Sequence, residues 1–225
     1  MKPLLSIIIP VVNEAENLAT RLQALQRFRN HCQIILVDGG SSDDSANIAK
    51  PLVDHVLYSQ RGRARQMNFG VIQAQAPVLL FLHADTCLPD NAVNSLLNAV
   101  SEGYSWGRFN IVFDNQRPIF KLIASMMNLR SRLTGIATGD QALFMTRQAF
   151  DTVIGFPEIA LMEDIVISTH LKKLSAPCCL TNKVVTSARR WQKKGIVKTI
   201  LLMWWLRLRF FLGANPENLA RHYYP

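Results

Sequence analysis

The chain has 225 residues, of which 49% are hydrophobic and 18% are charged, and its formal net charge is +9. The apolar fraction is enough for a buried core, which excludes a disordered chain, and the length suits one large α/β domain or a domain with a tail. The positive charge indicates acidic partners such as nucleotide phosphates, nucleic acid or an anionic membrane.

The first half of the chain alternates predicted strands and helices. Short apolar, β-branched segments predict strands, and segments with helical spacing or a polar start predict helices. The strands are at 4–12, 33–38, 55–59 and 78–82, and the helices are near 18–28, 41–50 and 63–75. Strands that are apolar on both faces are typical of a doubly wound, largely parallel sheet.

The second half is less regular. It has strand character at 105–113 and 142–146 and helical periodicity at 119–133 and 162–174. The first of these helices has Arg130 and Arg132 on its polar side. Because there is neither an internal repeat nor a low-complexity linker, we expect one domain over residues 1–190.

Residues 191–225 form a basic, aromatic-rich segment with a predicted amphipathic helix at 196–213. Its longest uncharged run, 199–206, is too short to span a bilayer. Aromatic and aliphatic residues mixed with basic ones are typical of a helix at an anionic membrane surface. The alternatives are a helix packed on the domain or one in a homodimer interface.

The N-terminus has no signal peptide, and the four cysteines have no metal-ligand spacing. Cysteines of this kind are typical of small buried residues in a reducing compartment. We therefore expect a cytoplasmic protein, peripheral on the inner face of the cell membrane if the C-terminal helix binds lipid.

Asp38 and Asp85 each follow a short apolar strand of the predicted sheet. Ligands of open α/β sheets bind at the carboxyl ends of the strands, so two carboxylates at that edge suggest a site for a metal ion or a polyhydroxylated ligand. The alternative is that both residues are helix caps or turn residues.

The ordered motifs resemble those of family 2 glycosyltransferases with the GT-A fold. They are Ser6–Glu14, Val37–Asp43, His83–Thr86 and the pair Glu163-Asp164. The resemblance covers about 4–191 and looks greatest to a small bacterial subgroup of uncertain substrate, marked by 139–141, 161–164 and 189–191. It implies a Rossmann-like, three-layer α/β/α fold with a mostly parallel mixed central sheet and, here, a C-terminal amphipathic helix. It also implies a nucleotide-binding half near 1–100 and an acceptor half near 101–190.

By this resemblance, Asp38 contacts the nucleobase or ribose, and Asp85 matches the last aspartate of the family's metal-binding motif. A carboxylate there would hold Mn²⁺ or Mg²⁺ against the donor diphosphate. His83 replaces the first aspartate of that motif, and a histidine can bond a ribose or ligate Mn²⁺. The predicted nucleotide-binding set is Pro10, Asn13, Glu14, Asp38, Gly39, Arg63, Arg65, His83 and Asp85, with Asp85 as the metal ligand.

On the acceptor side, Asp164 matches the family's general base and Glu163 is the neighbour that orients it or the acceptor. The alternative is acidic capping of a helix. The segment Gly139, Asp140 and Gln141 matches a loop that faces donor sugar and acceptor. The segment Arg189, Arg190 and Trp191 would close the site, or else belong to a membrane-facing basic patch.

The expected function is a metal-assisted, inverting glycosyltransferase of the hexosyltransferase type. It would move a sugar from a nucleotide-diphosphate sugar, most simply a UDP-sugar, to a hydroxyl of a sugar or lipid-linked acceptor. A sugar-1-phosphate nucleotidyltransferase is one alternative, but it needs a glycine-rich basic loop where this chain has Asn13-Glu14-Ala15-Glu16. A non-catalytic, membrane-associated nucleotide-sugar-binding protein is another, favoured only by His83. No nucleic-acid recognition motif is present, so we expect no nucleic-acid partner.

Overall fold

The computed structural model describes residues 2–224. The predicted segments 1–190 and 191–225 include Met1 and Pro225, which lie outside the described residues. Seven strands form one sheet in the order β3-β2-β1-β4-β6-β5-β7. The strands are β1 (Leu5–Val11), β2 (Cys32–Asp38), β3 (His55–Tyr58), β4 (Val78–Phe81), β5 (Trp106–Phe113), β6 (Leu143–Thr146) and β7 (Cys178–Thr186).

The sheet is mixed but mostly parallel. Strands β1 to β4 pair in parallel, β6 is antiparallel to both of its neighbours, and β5 pairs in parallel with β7. Every strand except β6 therefore ends at the same edge of the sheet. This confirms the predicted sheet and the α/β class.

Ten α-helices surround the sheet within residues 2–224. They are α1 (Ala15–Leu25), α2 (Ser45–Ala49), α3 (Arg63–Gln73), α4 (Ala92–Ser101), α5 (Pro118–Thr134), α6 (Arg147–Thr152), α7 (Glu163–Leu174), α8 (Arg189–Lys194), α9 (Ile196–Phe211) and α10 (Pro216–Tyr223). Short 3₁₀ turns cover Gln26–Phe28 and Gly139–Gln141.

The two faces of the sheet have separate cores. On β1, Ile7 and Ile9 point into a core with α1 and α4, whereas Ile8 points into a core with α3, α6 and α7. Since successive strand residues face opposite sides, a strand covered on both sides must be apolar throughout, which explains the uninterrupted apolar runs.

No predicted helix or strand corresponds to β7, to α4 or to the short helices α6, α8 and α10. Strand β7 lies at the edge of the sheet, and its exposed Thr181 and Lys183 interrupt the apolar pattern. Polar and charged residues are common on edge strands, where they prevent pairing with other chains. Helix α4 buries a narrow face formed by Val93 and Leu96.

The C-terminal helices pack against the start of α7 and the residues before it. Leu206 of α9 and Leu219 of α10 are buried with Leu161, Met162 and Ile165. The opposite face of α9 stays exposed and apolar, with Val197, Leu201, Trp204, Leu208 and Phe211. Across residues 2–224, no helix combines the length and the apolar character needed to cross a membrane.

Candidate functional site

A first cavity of about 710 Å³ lies beyond the ends of β1 and β4. Its lining includes Pro10 near the end of β1 and Glu14 after that strand, Arg63 and Arg65 at the start of α3, and His83 and Asp85 after β4. Helix α10 and the residue after it contribute Glu217 and Tyr224. The cavity therefore brings together six of the predicted nucleotide-binding residues at the carboxyl edge of the sheet.

A second cavity of about 460 Å³ lies between α5, the start of α7, and α8 and α9. Its wall is mostly apolar, and its polar lining includes Asp140, Asp164, Arg130, Arg190 and Arg207. Arg63 and His83 line both cavities, so the two spaces meet at these side chains. The predicted base, Asp164, lines the second cavity only.

Charged groups are paired where the cavities meet. The Arg63 Nε atom lies 3.6 Å from Glu163 Oε1, and His83 Nδ1 lies 3.2 Å from Asp140 Oδ1. Burial raises the pKa of Glu163, against the opposing charge of Arg63. Burial would also raise the pKa of Asp140, but the hydrogen bond and charge of His83, with Arg63, hold it below its ordinary value. The junction is thus an ordered set of paired charges.

Gly139 allows this junction to pack. A Cβ atom on Gly139 would clash with Arg63 Nη2 and His83 Nε2, so any larger residue would displace both side chains. The Gly139 N–H donates to Asp164 Oδ2 at 3.0 Å, and the Ile165 N–H donates to Asp164 Oδ1 at 2.8 Å. Two backbone donors therefore fix the Asp164 carboxylate at the edge of the second cavity.

Three predicted nucleotide-binding residues do not line the first cavity. Asp38 is buried, and its Oδ1 accepts the Ser41 N–H at 2.7 Å. Asn13 is exposed, with its Oδ1 accepting the Ser42 N–H at 2.8 Å. Gly39 is buried against the side chain of Gln66. In this structure the three residues shape the loops after β1 and β2.

The remaining predicted residues divide between the cavities and the scaffold. Arg189 Nη2 lies 3.1 Å from Glu14 Oε2, which ties α8 to the loop after β1. The Arg190 guanidinium lies 3.5 Å from the centroid of the Tyr223 ring and lines the second cavity with Trp191. Gln141 is buried and lines neither cavity; its side chain caps the turn at Thr138.

Sequence reasoning missed several lining residues. Gln66 is buried in α3, where its Nε2 donates to Val11 O at 2.9 Å and to Val37 O at 2.8 Å, so it joins the ends of β1 and β2. No local pattern marks such a glutamine. Arg130, Arg207 and Tyr223 also line the second cavity, and only the packing of the C-terminal helices reveals them.

The residues of the first cavity fit a divalent cation that is shared with a diphosphate. Across the described chain, no three His, Cys, Asp or Glu side chains cluster as a complete metal site. Mg²⁺ bound with substrate phosphates needs only one or two protein carboxylates, however. Burial raises the pKa of Glu14; the charge and hydrogen bond of Arg189 oppose this shift, and the smaller effect of the Asp85 charge adds to it. A cation between the two carboxylates would relieve that repulsion.

A sequence profile described as "Glycosyl transferase family 2" matches residues 6–154. An undecaprenyl-phosphate 4-deoxy-4-formamido-L-arabinose transferase of Klebsiella pneumoniae (strain 342) is 27% identical over 75% of this chain and 56% of its own length. The Pseudomonas savastanoi pv. phaseolicola (strain 1448A / Race 6) enzyme with the same name is 34% identical, and the chain spans only 33% of its length. A PGL/p-HBAD biosynthesis glycosyltransferase of Mycobacterium bovis (strain BCG / Pasteur 1173P2) is 29% identical over 90% of this chain and 97% of its own length.

Solved structures with a similar fold include TarS of S. aureus, which has a TM-score of 0.67 and 18% identity over 84% of this chain and 61% of that one. A mannosyltransferase from Pyrobaculum calidifontis, solved with GDP-Man and Mn²⁺, has a TM-score of 0.62 and 21% identity over 82% of this chain and 57% of that one. The predicted GT-A-type fold is confirmed by these neighbours. With a profile match over more than half of its residues, the chain belongs to glycosyl transferase family 2.

Proposed function

We propose that this glycosyltransferase binds a nucleotide-diphosphate sugar in the first cavity and an acceptor in the second, and that it transfers the sugar with inversion. One observation carries the proposal: the two cavities meet at Arg63 and His83, and the fixed carboxylate of Asp164 lies on the far side of that junction. A sugar held at the junction would have its diphosphate on one side and an attacking hydroxyl on the other.

The first cavity suits the donor diphosphate. Arg63 and Arg65 line one wall, and Asp85 lies opposite them after β4. Arg65 Nε is 3.2 Å from Glu158 Oε2, and this exposed contact leaves its guanidinium free to rearrange toward phosphate. Asp85, together with the diphosphate oxygens, would hold Mn²⁺ or Mg²⁺. Such a cation neutralises charge on a departing diphosphate.

UDP is the nucleotide that we expect. TarS of S. aureus was solved with UDP and with UDP-GlcNAc, whereas the mannosyltransferase was solved with GDP-Man. All of these ligands carry a diphosphate, which agrees with the positive charge that Arg63 and Arg65 bring to the first cavity. The sugar itself remains to be identified by a donor screen.

Asp164 acts as the general base in this proposal. The acceptor oxygen attacks the anomeric carbon, its proton passes to Asp164, and the bond from that carbon to the diphosphate breaks on the opposite face. Glu163 does not share this role, because it faces Arg63. It holds the arginine at the junction, so that one charge pair orients the donor side while the neighbouring carboxylate takes the proton.

A lipid-linked acceptor fits the second cavity better than a free sugar does. The cavity wall is mostly apolar, and α9 presents an exposed apolar face beside it. Two similar proteins carry the words "undecaprenyl-phosphate" in their names. The protein would then work at the surface of a membrane, with α9 in the interface.

The decisive experiment is a donor screen with UDP-, GDP- and dTDP-sugars, in which the released nucleoside diphosphate is measured with Mn²⁺, with Mg²⁺ and with a chelator. We expect slow hydrolysis of a UDP-sugar that needs the metal and falls at least about tenfold in Asp85→Asn. The matched control is Asp151→Asn, which changes an exposed carboxylate on α6. Failure of every donor to bind or turn over would overturn the proposal, and turnover that ignores the chelator would overturn the role of Asp85.

A further inference from the structure

Two arginines in the second cavity lack an anionic partner. Within residues 2–224, neither Arg130 nor Arg207 forms a salt bridge, and the buried Arg130 Nη2 and Arg207 Nε atoms make no hydrogen bond. Burial lowers the pKa of Arg130 to about 10, and the nearby charge of Arg207 adds to this effect. Burial lowers the pKa of Arg207 as well. Buried guanidinium groups without partners are costly, so this pair is suited to an anion supplied from outside the protein.

The rest of the same cavity is apolar. The side chains from α5 are Ile123, Met126 and Met127, and those from α9 are Ile200, Met203, Trp204 and Leu206. Methionine-rich walls adapt to flexible apolar ligands because the side chain is unbranched and polarizable. An occupant of this cavity therefore has an anionic group at the arginines and an apolar body along α5 and α9.

The cavity opens onto an apolar surface. Met126 is 55% exposed and Trp204 is 65% exposed, yet both also line the cavity. Each belongs to an exposed apolar stripe at helical spacing: Ile119, Leu122, Met126, Leu129 and Leu133 on α5, and Val197, Leu201, Trp204, Leu208 and Phe211 on α9. Each stripe therefore reaches the cavity, at Met126 on α5 and at Trp204 on α9.

We infer that the second cavity binds a long-chain lipid phosphate, with its phosphate between Arg130 and Arg207 and its chain between α5 and α9. The inference rests on the proposed function, because it names the acceptor: a lipid whose phosphate adjoins the group that carries the attacking hydroxyl. Guanidinium groups bind phosphate with paired, charge-assisted hydrogen bonds. Asp164 lines the same cavity as the two arginines, so a phosphate held there brings the head group near the predicted base.

Other occupants explain fewer of these features. A free sugar would leave the apolar wall unused, and a free phosphate would leave both the wall and the stripes unused. An anionic membrane surface would bind exposed basic side chains such as Arg132 and Arg209. These lie on α5 and α9, each two residues after the arginine that lines the cavity. Among the described residues, the arginines with a buried nitrogen that makes no hydrogen bond are Arg63, Arg130 and Arg207, and all three line this cavity.

The test uses the full-length protein without donor and follows tryptophan fluorescence, since Trp191 and Trp204 line the cavity. The probe is geranylgeranyl monophosphate below its micelle-forming concentration, compared with geranylgeraniol and with inorganic phosphate. We expect saturable binding of the lipid phosphate, at least about tenfold tighter than that of the alcohol, and none of inorganic phosphate at the same concentration.

Matched variants locate the phosphate. Arg130→Gln and Arg207→Gln should each weaken binding by about tenfold or more, whereas Arg132→Gln and Arg209→Gln should leave it unchanged. Met126→Glu changes a half-exposed residue at the mouth, which the fold should tolerate, and should also weaken binding. This variant keeps the test decisive if either buried arginine is needed for folding.

Equal affinity for the alcohol, or equal weakening by Arg132→Gln, would overturn the inference. The inference would also be overturned if the protein bound phosphatidylglycerol vesicles but showed no saturable binding of the monomeric probe. The protein would then associate only with the membrane surface. Binding of UDP by the wild-type protein is measured separately. If the wild-type protein binds the lipid phosphate but not UDP, the proposed donor site is wrong and the proposed lipid site is still supported.

Discussion

Arg63 Nε lies 3.6 Å from Glu163 Oε1, and this ion pair stands at the point where the two cavities meet. Its partners come from the first residues of α3 and α7, on either side of the junction. The neighbour in sequence, Asp164, makes no such pair and faces the second cavity with two backbone donors. Adjacent acidic residues therefore have different surroundings, and the predictions below separate their roles.

Asp164→Asn should abolish most of the transfer while leaving donor binding intact. An amide cannot accept the proton of the acceptor hydroxyl, but its oxygen can still accept one of the two backbone N–H groups, so the fold should persist. We expect transfer to fall by about 10²–10⁴-fold. Single-turnover transfer and the Kd for UDP measure the two effects. Asp151→Asn is the control. Transfer at the wild-type rate by Asp164→Asn would show that Asp164 is not the general base.

Glu163→Gln should change how stability depends on pH. Burial raises the pKa of Glu163 above its ordinary value of 4.5, so the folded protein keeps a proton that the unfolded chain has already lost. The stability contributed by this residue is therefore complete below the unfolded pKa and is lost as pH rises through the folded pKa.

The glutamine variant has no such loss. Its Tm relative to wild type should therefore rise as pH is taken from about 4 to about 8. Thermal melts of both proteins across that range measure the effect. Asp151→Asn is the control, because it shows how Tm changes with pH when an exposed carboxylate is removed. A relative Tm that falls with rising pH would contradict the direction of the shift.

Gly139→Ala should damage the junction with little effect on the rest of the fold. The added methyl group would press on Arg63 Nη2 and His83 Nε2, which lie at the ends of side chains and can move. We expect a loss of stability of about 1 kcal/mol and a fall in turnover of about tenfold or more, because both cavities lose their shared wall. Turnover and urea unfolding measure the two quantities. Wild-type turnover in this variant would show that the close packing is incidental.

Gln66→Leu should destabilise the protein. The side chain donates to the carbonyl oxygens at the ends of β1 and β2, and leucine leaves these buried groups without those hydrogen bonds. We expect the free energy of unfolding to fall by about 1–3 kcal/mol. Gln73→Leu, an exposed position on the same helix, is the matched control. If the two variants have the same unfolding free energy, Gln66 does not hold the strand ends together.

Membrane binding should depend on the exposed stripe of α9. Leu201 and Phe211 are 60% and 71% exposed, and glutamate at either position would place a negative charge against anionic lipid. We expect Leu201→Glu and Phe211→Glu to reduce cosedimentation with phosphatidylglycerol vesicles by about tenfold. Ile72→Glu changes a residue on α3 that is 72% exposed and serves as control. Equal losses in all three variants would indicate a general effect of charge.

The sheet was predictable because burial on both faces makes its inner strands apolar without interruption. Strand β7 was not predictable, since one edge of it faces solvent and its residues alternate. The acidic positions at strand and helix ends were predictable from the motif order. The position of Arg130 in the second cavity was not predictable, because in the sequence it lies on the same polar side of the predicted helix as Arg132. Only the docking of α9 over that helix separates a buried arginine from an exposed one.

The contact between Glu14 and Arg189 joins residues that are 175 positions apart in the chain. Forming it requires nearly the whole polypeptide to be ordered, and contacts of such long range form late in folding because the entropy of closing the intervening chain opposes them. The wall of the first cavity is therefore among the last parts to assemble. A partly folded chain would have a sheet but no place for a nucleotide, so nucleotide binding would report completion of folding rather than its onset.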